Sequence, residues 1–213
     1  MGQRGVSAGE VDRAVALLRA GGVVAFPTKT YYGLAVDPFN EQALARLFQM
    51  KNRPALKPVL VLVADREQVR LLAEEIPGIA HRLMDRFWPG ALTLVLPAHP
   101  ALSRLLTGGT GTVGVRLSPH PVATQLLRAF GGPLTATSAN RSGSAPAVTA
   151  AEVRAEFGGE LMIVDGGRTP GGKGSTLVGI DQEQITCIRE GCVSFAAVLR
   201  AAGESPDQQA ESV

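Results

Sequence analysis

Short apolar runs alternate with helix-periodic stretches along almost the whole chain, and this alternation limits the fold more than any single motif does. VVAF (23–26), VLVLV (59–63), ALTLVL (91–96), TVGVRL (112–117), PLTATS (133–138) and LMIVD (161–165) are each of strand length. Between them lie amphipathic helices with readable ends. Ser7 and Glu10 form a capping box ahead of Val11, Ala14, Val15 and Leu18, and Gly21-Gly22 stops that helix. Asn40 caps a second helix with Ala43, Leu44, Leu47 and Phe48 on one face. That helix must stop before Pro54, because the residue preceding a proline is pushed out of the helical region. Further helices are expected at 66–74 and 79–87, separated by Pro77, and from His120 to Phe130. Thr149 and Glu152 make a second capping box for a helix reaching Phe157, and a last helix covers 194–202. The stretches 27–34, 107–111 and 166–174 read as loops, and Trp88-Pro89-Gly90 as a turn. Strands at 175–181 and 184–190 are spaced as an antiparallel hairpin, which argues against a purely parallel, doubly wound sheet. The expected class is α/β, with a mixed sheet and flanking helices.

At 213 residues the chain suits one domain, expected over 1–203, with a frayed tail at 204–213. Hydrophobic residues at 45% and charged residues at 19% exclude wholesale disorder. No apolar run approaches the roughly 18 residues of a membrane span. The opening MGQRGVSAGE lacks the apolar centre of a signal peptide, so no membrane association and a cytoplasmic location are expected. Cys187 and Cys192 are too few for a disulfide framework or a four-ligand zinc site. They are expected in or beside a C-terminal strand as small hydrophobes. His81, His99 and His120 have no ligand spacing, so no metal held by protein side chains is expected.

A net charge of +2 does not by itself point to nucleic acid. The chain has 21 Lys and Arg, of which only Lys29, Lys51, Lys57 and Lys173 are lysines. A GC-rich genome explains such a bias, and so does a need for compact cations at a few places. The polar loop segments are PTKTYYG, KNRPALKP, TVGVR, TSANRSG, GGKGST and the strand end at Arg189. Each has an ordinary structural role available. KNR caps a helix dipole, Arg116 is an edge charge, Ser-Ala-Asn is a turn, and GGKGS is a loop that fails the P-loop pattern because Gly174 follows Lys173. Together they offer cations, hydroxyls and free N–H groups, without a nucleophile–base order. An enzyme of this kind works on anions by electrostatics and positioning.

Seven segments in order resemble the YrdC-like family: FPTKTYYGLAVDP (26–38), LFQMKNRPALKP (47–58), FWPGALTLVLPA (87–98), TVGVRLSPHP (112–121), TATSANRSGSAP (135–146), GSTLVGI (174–180) and IREG (188–191). The resemblance covers roughly 8–191 and is to the short, single-domain form. It implies a twisted, mixed α/β sheet around a large basic cavity. The implied reaction joins L-threonine, bicarbonate and ATP into threonylcarbamoyl-AMP and pyrophosphate, with Mg²⁺ carried by the nucleotide. This is the first step of threonylcarbamoyladenosine modification of tRNA, completed by a partner transferase.

Residue by residue, the resemblance places Thr30, Arg116 and Ser175 at threonine-binding positions. Lys51 and Arg53, with Lys57 in the same segment, match cations facing the nucleotide phosphates. Thr112, Ser138, Asn140 and Arg189 match nucleotide contacts. Replacing Lys51 or Arg53 is then expected to cost turnover and leave the fold intact. One departure stands out: Lys29 occupies the place where the family usually carries an acid. The alternatives are a YrdC-like module that binds tRNA or double-stranded RNA, a carbamoyl-handling relative, or a paralogue without the synthase activity.

Overall fold

The computed structural model describes residues 5–54 and 56–203; the tail expected at 204–213 lies outside the described residues. α1 (Ala8–Arg19) begins at the Ser7–Glu10 capping box and turns Val11, Ala14, Val15 and Leu18 inward. β1 (Val24–Pro27) follows, buried on both faces. The next segment departs from the loop expected at 27–34. A tight turn, in which the Thr28 N–H and Oγ1 both donate to Tyr31 O, sends Tyr32–Ala35 back as β2, antiparallel to β1. The dense hydroxyls masked this hairpin, since Thr28 serves the turn rather than open solvent.

α2 (Glu41–Lys51) is capped by Asn40, and Asn52 closes it in the left-handed conformation. β3 (Val61–Val63) comes next. The helix expected at 66–74 is only a 3₁₀ segment, Glu67–Leu71. It stops because the following backbone pairs elsewhere: Glu74 N donates to Pro97 O, and Ala73 bridges Ala98. α3 (Gly78–Phe87), β4 (Leu92–Pro97), a one-turn α4 (Arg104–Thr107), β5 (Thr112–Leu117) and α5 (Pro121–Phe130) continue the alternation.

PLTATS, which reads as one strand, is two: β6 (Leu134–Thr135) and β7 (Thr137–Ser138). β6 pairs with β3, whereas β7 pairs with β2 in a different sheet. Alternation of side chains persists through such a crossing, so the pattern cannot reveal a change of partner. α6 (Ala150–Phe157), β8 (Met162–Ile163), the β9–β10 hairpin (Thr176–Asp181 and Gln184–Arg189) and α7 (Phe195–Ala202) complete the chain. In the second capping box the Glu152 carboxylate accepts from Val148 N, one residue beyond the cap.

The class is mixed α/β, with the strands shared between two sheets of order β7-β2-β1-β8 and β10-β9-β4-β5-β3-β6. α1 and α5 pack Leu18, Val122, Leu126 and Leu127 against the outer face of β1 at Val24 and Phe26. The larger core lies on the other side and joins Ala25 and Leu34 to α2, α3 and α7. Each large apolar side chain buried this way contributes roughly 1.5–3 kcal/mol. Cys187 lies in the C-terminal strand β10 and Cys192 just beyond it, as expected, but both are exposed rather than packed as hydrophobes. β10 is an edge strand whose only buried side chain is Ile185, so Cys187 has no core to enter. Among the described residues no helix is long and apolar enough to cross a membrane.

Candidate active site

A cavity of about 620 Å³ is walled by residues of both sheets. Its floor is the face of the six-stranded sheet that carries Thr112, Gly114 and Arg116 on β5, Thr93 and Val95 on β4, and Leu177 on β9. Cross-strand register sets a row: Thr93 lies opposite Leu177, Leu177 opposite Arg189, and Arg116 is next to Thr93 by the pairing of Leu94 with Val115. Opposite this floor stand Thr30, Tyr31 and Tyr32 of the β1–β2 hairpin and Ser138 of β7.

Arg116 is 4% exposed and its Nε has no hydrogen-bond partner among the described residues. Burial pushes its guanidinium down to about 10, and Arg189 nearby pushes the same way. A buried, unpaired cation is costly unless something else neutralises it. The Ser175 hydroxyl accepts from Thr93 Oγ1 at 2.8 Å, and Arg189 Nη2 donates to Ser175 O at 3.0 Å. Gly191 makes this wall possible. A Cβ there would lie 2.3 Å from Gly174 O and 2.6 Å from the Ser175 carbonyl carbon. Gly191→Ala is therefore expected to cost about 1–3 kcal/mol, read as a lower denaturant midpoint. An unchanged midpoint would remove the close-approach account.

Arg53 reaches the cavity from the end of α2. Its Nε donates to Lys57 O at 3.3 Å and its Nη2 to Pro58 O at 2.8 Å, which ties the guanidinium to the backbone at 57–58. The stretch 166–174 does not hang free. Gly171 N donates to Thr30 O, Tyr31 Oη to Gly172 O, and Tyr32 Oη to Gly167 O. Burial and the Asp165 carboxylate raise the Tyr32 phenol above its ordinary value, so it stays a donor at neutral pH.

Of the ten residues singled out in the sequence, the cavity wall includes seven: Thr30, Arg53, Thr112, Arg116, Ser138, Ser175 and Arg189. Three are placed elsewhere. Lys51 is 2% exposed, and its ammonium donates to Ser138 O and, at 2.6 Å, to Asn140 O. Two of its three donors go to the backbone of the Ser-Ala-Asn turn, and Lys51 is not among the residues lining the cavity. The expectation that replacing it leaves the fold intact is revised accordingly. Lys57 contributes its carbonyl to Arg53 while its side chain is exposed. Asn140 directs Nδ2 to Arg141 O and Ser144 O, and its buried Oδ1 has no partner.

Thr93, Thr110, Tyr32 and Gly114 line the cavity without having been singled out. Thr93 alone carried a signal, as a lone hydroxyl inside the apolar run ALTLVL. No carboxylate is among the residues lining the cavity.

Three guanidinium groups and a set of hydroxyls converging on one cleft define an α/β protein with a site for a small polyanion. The profile of the Sua5, YciO and YrdC proteins, described as "Telomere recombination", matches residues 16–191, and the chain belongs to that family. It is 40% identical over 192 residues to the threonylcarbamoyl-AMP synthase of Pyrococcus abyssi, covering 90% of this chain and 56% of that one. The threonylcarbamoyl-AMP synthase of Vibrio cholerae serotype O1 is 38% identical over 183 residues, covering 85% of this chain and 97% of that one. The crystal structure of P. abyssi Sua5 complexed with L-threonine superposes with a TM-score of 0.89 at 37% identity, over 99% of this chain and 63% of that one. The chain thus spans little more than half the length of its Pyrococcus relative.

Proposed function

We propose that this chain is a threonylcarbamoyl-AMP synthase, condensing L-threonine, bicarbonate and ATP with release of pyrophosphate. The observation that carries the reading is Arg116: a buried guanidinium with an unpartnered Nε, facing a cavity whose other cations are Arg53 and Arg189. The synthase names of its relatives, and the L-threonine bound by P. abyssi Sua5, support the same substrate class.

In this reading Arg116 grips the threonine carboxylate through a charge-assisted fork, with Thr30 and Ser175 beside it. The threonine amine and bicarbonate give a carbamate and water. A carbamate oxygen bonds to the α-phosphorus while the bond from that phosphorus to the bridging oxygen breaks, and the electron pair leaves with pyrophosphate. Arg53 and Arg189 neutralise the triphosphate. In this reading Thr112 and Ser138 contact the nucleotide, and Lys51 acts by holding the Ser138–Asn140 turn. Mg²⁺ arriving with the nucleotide would add charge neutralisation at the triphosphate, beside Arg53 and Arg189. The product acyl-adenylate is reactive and passes to a transferase acting on tRNA.

Pyrophosphate release from ATP, measured with and without threonine and bicarbonate, tests this directly. Release is expected only when both are present. Arg53→Ala is expected to lower it about 10²–10³-fold, the usual cost of one phosphate-directed donor. Release that ignores threonine, or salt-dependent RNA binding without turnover, would refute the assignment.

A further inference from the structure

The stretch 166–174 joins two walls of the cavity. Upstream, the buried Thr169 gives its N–H to Val148 O at 2.9 Å. Downstream, Cys192 N donates to Gly174 O at 3.0 Å, and Ser175 follows in the wall beside Thr93. Between these anchors, among the described residues, the rest of the chain reaches 170–172 by two hydrogen bonds, both to the β1–β2 turn. Gly171 N donates to Thr30 O at 2.8 Å, and Tyr31 Oη donates to Gly172 O at 2.9 Å. Thr30 and Tyr31 line the cavity on one side, Gly174 and Ser175 on the other. The segment is therefore a strap across the end of the cavity where Thr93 and Ser175 meet.

The strap is lightly fastened. The Tyr31 bond is exposed, so water competes for both of its partners. A Cβ added at Gly171 would meet Val148 Cγ1 at 3.6 Å and Tyr31 Cε1 at 3.8 Å, and one added at Gly172 would meet nothing within 4 Å. Both glycines have positive φ, +70° and +90°, which glycine adopts without the penalty a side chain brings. The strap thus owes its shape to glycine backbone and two hydrogen bonds rather than to core burial, and a segment held in that way opens at low free energy. Tyr31 couples the strap to the cavity, because its side chain borders the cavity and its hydroxyl holds Gly172.

We propose that Tyr31 is a positioning residue for the amino-acid substrate: its hydroxyl latches the 170–172 strap across that end of the cavity, which steadies Thr30 through Gly171 and retains threonine. The inference rests on the threonine-using reading above. Threonine beneath the strap favours the fastened form, and by linkage the fastened form binds threonine more tightly.

The test measures L-threonine binding to the full chain by calorimetry, together with amide hydrogen exchange. Threonine is expected to slow exchange of the Gly171 N–H in the wild type. Tyr31→Phe keeps the ring and loses the latch, and weakens threonine binding about three- to tenfold, the worth of one neutral hydrogen bond. The melting temperature stays unchanged, and ATP affinity without threonine stays within about twofold. Gly172→Ala has room for its methyl group but strains the fastened backbone, and weakens threonine binding in the same direction. Wild-type threonine affinity in Tyr31→Phe overturns the latch, as does a Gly171 N–H that threonine leaves unprotected. An equal loss of ATP affinity also overturns it, since Tyr31 would then act outside the threonine end. If threonine does not bind the wild-type chain at all, the synthase reading fails and the latch falls with it, whereas threonine binding that ignores Tyr31 refutes the latch alone.

Discussion

Replacing Arg116 with methionine is expected to make the protein more stable and inactive at once. The guanidinium is buried, its Nε has no partner among the described residues, and burial holds its pKa down to about 10. The folded state therefore bears a desolvation cost that no protein group fully offsets. A methionine of similar length removes the charge and keeps much of the volume. The gain expected is about 1–3 kcal/mol, or several degrees in melting temperature for a chain of this size. If Arg116 holds the threonine carboxylate as proposed, threonine-dependent pyrophosphate release should fall at least about 10³-fold, because among the described residues lining the cavity no other cation is buried. Thermal melts and the release assay on one preparation settle both halves. A variant that is less stable than wild type would show that Arg116 has a structural partner after all.

The other buried cation should behave in the opposite way. Lys51→Met removes the donor shared by Ser138 O and Asn140 O; Ser138 O keeps the Asn140 N–H, whereas Asn140 O loses its ammonium donor beside the cavity. At roughly 1–3 kcal/mol for an orphaned acceptor, a loss of about 1–3 kcal/mol is expected. Turnover should fall as well, because Ser138 sits on the cavity wall and its turn loosens. The proton bookkeeping adds an independent readout. Burial first, and Arg53 second, lower Lys51 to about 8 from the ordinary 10.5. The unfolded chain therefore binds more protons than the folded one between those values, so unfolding at pH 9 takes up about one proton and this group makes stability rise with pH across that window. Calorimetric unfolding at pH 9 in buffers of different ionisation enthalpy should show that uptake in the wild type and its loss in Lys51→Met. If the variant melts at the wild-type temperature, the clamp has no energetic weight.

Local devices were legible because their partners are neighbours in sequence. Ser7 with Glu10, Asn40 with Ala43 N, and Thr149 with Glu152 N each lie three residues apart, and all of them cap the helices they announce. The 66–74 helix was overread because its competitor, the edge of β4, is remote. The β1–β2 hairpin was missed because hydroxyls that look solvent-facing in a sequence can close a turn. Within the cavity, Arg116 and Ser175 were found through motifs, but their neighbour Thr93 was not, since only sheet register brings it to them.

The sequence by itself determined which stretches become strands and helices, where most helices start and stop, and which polar segments are worth watching, because those depend on propensity, capping and periodicity over a few residues. Tertiary structure decided the division of the ten strands among the described residues between two sheets and the crossing of 134–138 from one to the other. It also gave like residues unlike duties. Arg116 and Lys51 are both buried cations from conspicuous motifs, yet Lys51 meets two carbonyls 87 and 89 positions away, whereas the Arg116 Nε meets none. Whether a buried charge clamps the fold or waits for a ligand depends on which distant backbone groups reach it, and that is set when the sheets close.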